Sequence, residues 1–222
     1  MADFGFKINP CPAGPSQATL DAYRDFAVAN ISDAMSRTTG TSALRPVHPS
    51  RRILGRAFTV RTRPGDNLLV HKAIDMAEPG DVIVVDAGGD MRNAIIGEIM
   101  VGWATHRGLA GFVIDGAIRD TGTLAAGPLP VYARGSAHRG PYKDGPGELN
   151  VPITIDGMVV LPGDLLIGDD DGLLAIRVGE ADAIAEKVRN IEASEAKILA
   201  QIAAGTLDRS WVDASLKAKG AL

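Results

Sequence analysis

The sequence predicts an α/β fold, and three observations carry that prediction. Strand-like and helix-like stretches alternate from residue 56 to residue 114, the order that builds a parallel sheet with crossover helices. One of them, Val82-Ile83-Val84-Val85, is a continuous apolar run of the kind found in strands buried on both faces. With 222 residues, 45% hydrophobic and 23% charged, the chain is long and apolar enough to bury a sizeable core.

Taken in order, residues 1–15 hold Pro10, Pro12, Gly14 and Pro15 and predict an irregular N-terminal arm. Ser16 is placed to cap the next helix, where Leu20, Tyr23, Phe26, Ile31 and Met35 keep helical periodicity with a break near Ala29-Asn30. Residues 56–63 alternate with period two and predict a strand. Asp66 can cap a helix that runs to about Ala77, and Pro79-Gly80-Asp81 turns the chain into the strand 82–85. A helix is expected from about Gly97 to Arg107, then a strand from Gly111 to Ile114. Residues 149–178 predict a β-rich meander, punctuated by Asp156-Gly157, Pro162-Gly163-Asp164 and Asp171-Gly172. A long helix from about Glu180 to Ala204 and a short polar tail complete the chain. Pro-Gly-Asp recurs at 64–66, 79–81 and 162–164. Shared turn chemistry accounts for this, because Pro and Gly suit adjacent turn positions. No linker divides the chain, which predicts an arm (1–15), one domain (16–205) and a tail (206–222).

Composition excludes several classes. The net charge of −4 and the lack of a long basic stripe argue against a nucleic-acid groove. A single cysteine, Cys11, rules out an intrachain disulfide framework and fits a reducing compartment. No apolar run reaches the ~18 residues of a membrane span. Met1-Ala2-Asp3-Phe4-Gly5 lacks the basic and apolar regions of a signal peptide. A cytoplasmic protein is the default expectation.

The most informative stretch runs from Gly97-Glu98-Ile99-Met100 to Arg119-Asp120. Gly97 precedes a helix-forming segment, so the amides that follow it can face an anion. Arg119 can fork onto a carboxylate. Asp120 and Glu98 are hard oxygen donors suited to Mg²⁺ and its waters. Together they predict a site for a small carboxylate on a divalent metal. Asp115 competes for the metal role, but beside Gly116 it reads as a turn. In the long helix, Ile184, Val188, Ile191, Ile198 and Ile202 form an apolar stripe whose missing rung is Glu195. A carboxylate in a buried stripe is costly unless paired or metal-linked; alternatively the stripe shifts to Leu199 and leaves Glu195 at its rim. Asp169-Asp170-Asp171-Gly172 lacks the rest of a calcium-loop pattern and reads as a solvated turn. Gly140-Pro141-Tyr142 and Gly147-Glu148 suggest a loop that borders a site. The four histidines, His48, His71, His106 and His138, have no metal-ligand spacing. His71 falls in a predicted helix from which it can reach a site, with packing as its expected role. No nucleophile elbow, Walker loop or dinucleotide fingerprint occurs.

Several motifs together resemble one family. They are Pro64-Gly65-Asp66-Asn67, Pro79-Gly80-Asp81-Val82, Gly97-Glu98, Val113-Ile114-Asp115-Gly116, Arg119-Asp120 and Gly147-Glu148-Leu149-Asn150-Val151-Pro152. The chain is similar over roughly residues 20–205 to the class II 4-hydroxy-4-methyl-2-oxoglutarate/4-carboxy-4-hydroxy-2-oxoadipate aldolases, a family that includes the regulator of ribonuclease E activity A. The aldolase signature is an acid, twenty residues, then Arg-Asp; here residues 99–118 separate Glu98 from Arg119. The family's first acid is aspartate, so Glu98 keeps the charge and adds a methylene, whereas the regulator branch carries glycine there.

The resemblance implies an αββα sandwich with a swivelling-domain-like core, in trimers or hexamers with the site between subunits. It implies that Asp120 ligates Mg²⁺ or Mn²⁺. Arg119 and the backbone of Gly97, Glu98, Ile99 and Met100 would hold a pyruvyl group, and Glu98 would orient a metal-bound water. A further acid would come from a neighbouring subunit's C-terminal helix, placed here at Glu195. The expected function is a metal-dependent carbon–carbon lyase, cleaving 4-hydroxy-2-oxo acids to pyruvate and a second 2-oxo acid, with oxaloacetate decarboxylation as a side activity. The alternative is a non-catalytic, protein-binding regulator like the ribonuclease branch.

Overall fold

A computed structural model of the chain describes residues 5–48 and 52–222. Residues 1–4, which bear on the targeting expectation, lie outside the described residues. The elements in chain order are β1 (Phe6–Ile8), α1 (Gln17–Tyr23), α2 (Val28–Ala34), β2 (Arg45–Pro46), β3 (Ile53–Thr62), α3 (Leu68–Met76), β4 (Asp81–Asp86), α4 (Glu98–His106) and β5 (Gly111–Ile118). Then follow α5 (Thr121–Ala126), β6 (Val131–Ser136), β7 (Gly147–Leu149), β8 (Ile153–Ile155), β9 (Met158–Val160), β10 (Leu165–Asp169), β11 (Gly172–Ile176), α6 (Val178–Ala204) and α7 (Ser210–Ala218).

Strands β3, β4, β5 and β6 are parallel neighbours, joined by α3, α4 and α5 as crossovers. The apolar run predicted at 82–85 is β4, the strand between β3 and β5, and Val82 to Val85 are fully buried. Along its other side β3 pairs with two antiparallel strands, β10 at its start and β7 at its end. Three separate apolar seams define the layers. One face of the sheet packs against α3, α4 and α5 through residues such as Phe58, Phe112, Ile74, Met100 and Leu124. The other face meets β8–β9 and the inner side of β10–β11 through Val82, Val84, Val113, Met158 and Leu166. The outer side of β10–β11 packs against α1, α2 and α6 through Leu165, Ile167, Tyr23, Ile31 and Val188. Helices, sheet, second β layer and helices again make the αββα sandwich expected from the resemblance.

The three Pro-Gly-Asp turns share one construction. Each glycine has positive φ (76°, 88° and 87°) at the turn position where side chains are strained. Each aspartate is buried with an arginine partner: Asp66 with Arg63, Asp81 with Arg56, Asp164 with Arg177. Asp81 and Asp164 also accept the amide that opens their own turn, from Glu78 and Leu161, both at 2.8 Å. Asp66 instead caps α3 through the Leu68 amide at 2.9 Å. Repeated turn chemistry therefore explains the repeat.

Other elements depart from expectation in identifiable ways. Ser16 caps α1 by accepting from the Thr19 amide, but the break before α2 falls at residues 24–27, earlier than Ala29-Asn30. The arm is not irregular throughout: β1 pairs with β7, and Asn9 and Asn150 exchange side-chain-to-carbonyl bonds at 3.0 Å. The polar tail contains α7, which buries none of its residues. Asp115 is no turn residue; it lies within β5, buried, paired with Arg134 of β6. Three short elements, β2, α5 and β6, went unpredicted because each is made mainly by its neighbours. In β6 only Val131, Tyr132 and Ala133 are buried before the strand turns to Arg134-Gly135-Ser136.

Candidate active site

Strand β5 ends at Ile118 and delivers Arg119 and Asp120 to the carboxyl edge of the parallel sheet, where open α/β sheets place ligands. The segment before α4 is bonded along this strand end. The Ile95 amide donates to Ala117 O at 2.8 Å, and the Arg119 amide donates to Ile96 O at 3.0 Å. This pairing closes the twenty-residue gap in sequence and sets the first turn of α4 against Arg119-Asp120.

The junction is tight. Asp120 adopts the left-handed conformation, φ 58°, which glycine, asparagine and aspartate visit more readily than other residues. Its Oδ2 accepts the Glu98 amide at 3.0 Å, so it satisfies one orphan donor of α4 in place of a side-chain cap from Gly97. A Cβ at Gly97 would stand 2.5 Å from that oxygen and 2.9 Å from Arg119 Cγ. Only glycine admits the carboxylate at this distance. The Ile99 and Met100 amides, also in the first turn, have no partner within the helix and form part of the positive end of its dipole.

Arg119 Nε lies 3.7 Å from Asp120 Oδ2, and both side chains are about two-fifths exposed. Asp120 Oδ1 receives no hydrogen bond, and the Glu98 carboxylate has no ion pair, among the described residues. A cleft of about 120 Å³ opens beside them, lined by Asn67, His71, Gly97, Ile99, Arg119 and Lys143 among others. Drug-sized ligands occupy clefts of about 300–1,000 Å³, so this one suits an acid of a few carbons and not a nucleotide. Burial, reinforced by the nearby Lys143 charge and opposed by Asp75, pushes His71 below the ordinary imidazole range.

Glu98, Arg119, Asp120, Gly97, Ile99 and Met100 are thus brought together as expected. Glu195 is not. It sits on α6, in the helical layer on the opposite side of the sandwich from α4. It is exposed, and its Oε2 accepts from Asn30 at 2.9 Å. The stripe it interrupts is buried only as far as Val188; Ile198 and Ile202 are exposed in the single chain. Among the described residues no three His, Cys, Asp or Glu side chains gather as a metal cage. Cys11 is partly buried rather than loose, and burial pushes its thiol up to about 11, so it is no nucleophile. Sequence reading missed Asn67 and Lys143 as lining residues and left His71 to packing. Asn67 carried a signal, since it follows the Asp66 that caps α3; Lys143 carried none.

Comparison with known proteins agrees with this geometry. The RraA-like family model (Aldolase/RraA) matches residues 28–175. A Halalkalibacterium halodurans protein, provisionally named as a 4-hydroxy-4-methyl-2-oxoglutarate aldolase, is 41% identical over 81% of this chain and 88% of its own. The crystal structure of an uncharacterized Pseudomonas syringae protein superposes with a TM-score of 0.80 at 28% identity, over 88% of this chain and 97% of that one. A Thermus structure described as the RNA-processing inhibitor RraA superposes at 0.63 with 34% identity, over 68% of this chain and 92% of that one. Among the described residues no helix is long and apolar enough to cross a membrane. The family match covers most of the chain, and the sandwich and the strand-end site fit it: the chain belongs to the RraA-like family.

Proposed function

We propose that the chain is a divalent-metal-dependent class II aldolase that cleaves 4-hydroxy-2-oxo acids of the 4-hydroxy-4-methyl-2-oxoglutarate type to pyruvate and a second 2-oxo acid. One observation carries this: the Arg119 guanidinium and the first turn of α4 line a cleft sized for a small acid, and the half-vacant Asp120 carboxylate stands 3.7 Å from that guanidinium. The donor set fits Mg²⁺ or Mn²⁺. One aspartate with an unoccupied oxygen, a nearby glutamate and no histidine or cysteine cage match a hard ion that keeps most of its waters. Asp120 would hold that ion, which supplies Lewis acidity toward the oxygens of the 2-oxo acid.

The chain's own residues do the rest. Arg119 binds the substrate carboxylate through a charge-assisted fork. The Ile99 and Met100 amides offset the negative charge that develops on the keto oxygen as the bond breaks. Glu98, exposed and unpaired, takes the proton of the 4-hydroxyl and returns one to the departing pyruvate carbon. The same charge stabilisation supports oxaloacetate decarboxylation.

We further read the active assembly as a trimer or a pair of trimers, in which Glu195 of one subunit completes the site of the next. In support, the second half of α6 leaves Ile198, Leu199 and Ile202 exposed, and Ile99 and Trp103 are exposed on α4 beside the cleft. The Thermus neighbour favours a rival, a regulator that binds a protein and catalyses nothing. Metal-dependent pyruvate release from 4-hydroxy-4-methyl-2-oxoglutarate, followed by coupled NADH oxidation, separates the two. Turnover that EDTA stops and Mg²⁺ restores is expected; no release with either metal would overturn the aldolase.

A further inference from the structure

One wall of the cleft is a loop, residues 137–146, that joins β6 to β7 and brings Pro141 and Lys143 to the lining. Its front is bonded to the site. The Ala94 amide donates to Arg139 O at 2.8 Å, and Asn93 Nδ2 donates to Gly140 O at 2.7 Å. A Cβ at Gly140 would meet Arg119 Nη1 at 3.2 Å. The Tyr142 amide donates to Gly65 O at 2.8 Å, and the Asn67 amide donates to Tyr142 O at 3.0 Å. The Asp144 and Gly145 amides donate to the buried Asp66 carboxylate at 2.8 and 2.9 Å.

The back of the same loop is held by the N-terminal arm, which precedes the family match at residues 28–175. Strand β1 runs parallel to β7, with Phe6 beside Gly147 and Ile8 beside Leu149. The Gly147 amide donates to Gly5 O at 2.9 Å. The Phe6 ring rests on Gly145: a Cβ there would stand 2.5 and 2.6 Å from its Cε1 and Cζ. Gly145 also has φ 72°, a conformation that side chains strain. Past the strand, the Asn9 amide donates to Leu149 O at 3.3 Å, and the Asn9 and Asn150 side chains each donate to the other's carbonyl. Yet Phe6, Lys7 and Ile8 are exposed, and none of them is among the residues of the three apolar seams. A strand bonded this fully without building the core matters for what it touches. It touches the root of the cleft loop, two residues past Lys143.

We infer that β1 is a strap for the cleft: Phe6, pressed on Gly145, holds the loop against Arg119 from behind and so sets how tightly the cleft binds a small 2-oxo acid. Phe6 is a positioning residue; it is outside the cleft lining and touches no reacting atom. A loop that occupies its binding position only part of the time lowers apparent affinity by that fraction. Loss of the strap therefore reads as weaker binding and not as slower chemistry. The affinity rests on the cleft being the substrate site of the aldolase reading; the hold on the loop does not.

Two measurements on point variants of the whole chain test this. The first is hydrogen exchange at Asp144 and Gly145, whose amides bond to Asp66 and not to the arm. Phe6→Ala should lower their protection and Phe6→Leu should return most of it, while the amides of β4 stay protected. The second is calorimetric binding of pyruvate with Mg²⁺, beside KM and kcat in the coupled assay. Phe6→Ala should weaken pyruvate binding and raise KM by about 3–10-fold, as the held loop falls to roughly a third to a tenth of molecules. The kcat should stay nearly unchanged, and Phe6→Leu should recover most of the difference. Asn9→Ala, which frees the other end of the strap, should act in the same direction. Unchanged protection at Asp144 and Gly145 in Phe6→Ala, or a looser loop with pyruvate binding and KM unmoved, would overturn the inference even if the enzyme is an aldolase. Protection lost equally in β4 would overturn it too, since Phe6 would then serve the whole fold. A looser loop and weaker pyruvate binding without any turnover would uphold it while the aldolase reading fell.

Discussion

Arginine and aspartate meet in two ways in this molecule, and the difference shows where function can sit. At the Pro-Gly-Asp turns and in β5 the carboxylates are buried and occupied. Asp81 takes two bonds from Arg56 and one from the Glu78 amide, and Asp115 takes Arg134 and the Asp156 amide. At the end of β5 the same residue types stand side by side, 3.7 Å apart and partly exposed, with Asp120 in left-handed backbone and one oxygen unoccupied. Saturated pairs have no capacity left for a ligand; removing one partner strands a buried charge. The unsaturated pair keeps donors and lone pairs in reserve, and the bonds from the Ile95 amide to Ala117 O and from the Arg119 amide to Ile96 O hold it there. Residue type does not separate these groups, but remaining valence and position on the sheet do.

The sharpest way to break this comparison is to exchange the fates of Asp120 and Asp81. Asp120→Ala is expected to abolish turnover, and EDTA to do the same reversibly. Its stability should fall by only the cap it lends to the Glu98 amide, ~0.5–2 kcal/mol, about 1–8 °C in a chain of this size. Asp81→Ala should cost ~3–5 kcal/mol by stranding Arg56, roughly 6–20 °C in a chain of this size. Calorimetry and the coupled assay on both variants decide. A heavily destabilised Asp120→Ala, or full activity in excess chelator, would erase the distinction.

Glu98 tests whether vacancy alone marks a working acid. Its carboxylate has no ion pair, so Glu98→Gln should leave the fold and metal affinity nearly intact. The kcat should fall by about 10²–10⁴-fold, the usual weight of general acid–base catalysis. Glu98→Asp restores the family's usual acid and should hold or raise the rate. Wild-type kinetics in Glu98→Gln would reduce it to a helix-end charge.

How much of this was legible in the sequence follows the same division. Periodicity found β4, α4 and α6 because their burial is set by their own residues: Val82 to Val85 are apolar throughout and lie between neighbouring strands. It missed β6 and α5, whose form depends on what they lean against. At the site, Gly97, Glu98, Arg119 and Asp120 were legible because a spaced motif joins them. Lys143 was not, because loop bonds to Asp66, Gly65 and Asn67 bring it to the cleft. Glu195 shows a different limit. The interrupted stripe was real as a pattern, but periodicity says which face is apolar and not what covers it. Within one chain the described residues bury that face only as far as Val188, with Ile191 partly covered and Ile198 and Ile202 exposed.

Arg119→Lys sharpens the contrast at smaller scale. A lysine keeps the charge but loses the fork, so kcat/KM should fall by ~1.5–3 kcal/mol, about 10–150-fold, with the thermal midpoint unmoved. Arg56→Lys also loses a two-pronged bond, to Asp81 at 2.7 and 2.8 Å, and there stability should fall while kinetics hold. Unchanged kinetics in Arg119→Lys would mean that the carboxylate binds elsewhere. For Glu195 the test is complementation. Glu195→Ala should impair activity, and mixing it with Asp120→Ala subunits should partly restore it, because some interfaces regain both acids. A monomer in light scattering would sink the shared site.

The last effect concerns the cleft wall rather than turnover, and acid makes it diagnostic: it rests on Asp66. Burial alone would raise its pKa. The amides of Leu68, Asp144 and Gly145, with the Arg63 charge, outweigh burial and hold the carboxyl below the usual aspartate value. A carboxyl depressed on folding contributes stability that is fully present above its unfolded pKa of ~3.9 and is lost as pH falls through the folded value. Stability should therefore decline below about pH 4, and Asp66→Asn should remove that part of the slope by removing the contribution at every pH. Two of the three amides belong to the loop that carries Lys143, so protonation should loosen the cleft wall before the core. Hydrogen exchange at Asp144 and Gly145 is the measurement: lower protection, relative to the intrinsic rate at each pH, in acid and at neutral pH in Asp66→Asn, while the amides of β4 stay protected. If those two amides exchange no faster in Asp66→Asn, the buried carboxylate does not hold the loop. The saturated pairs would then have no part in shaping the unsaturated site.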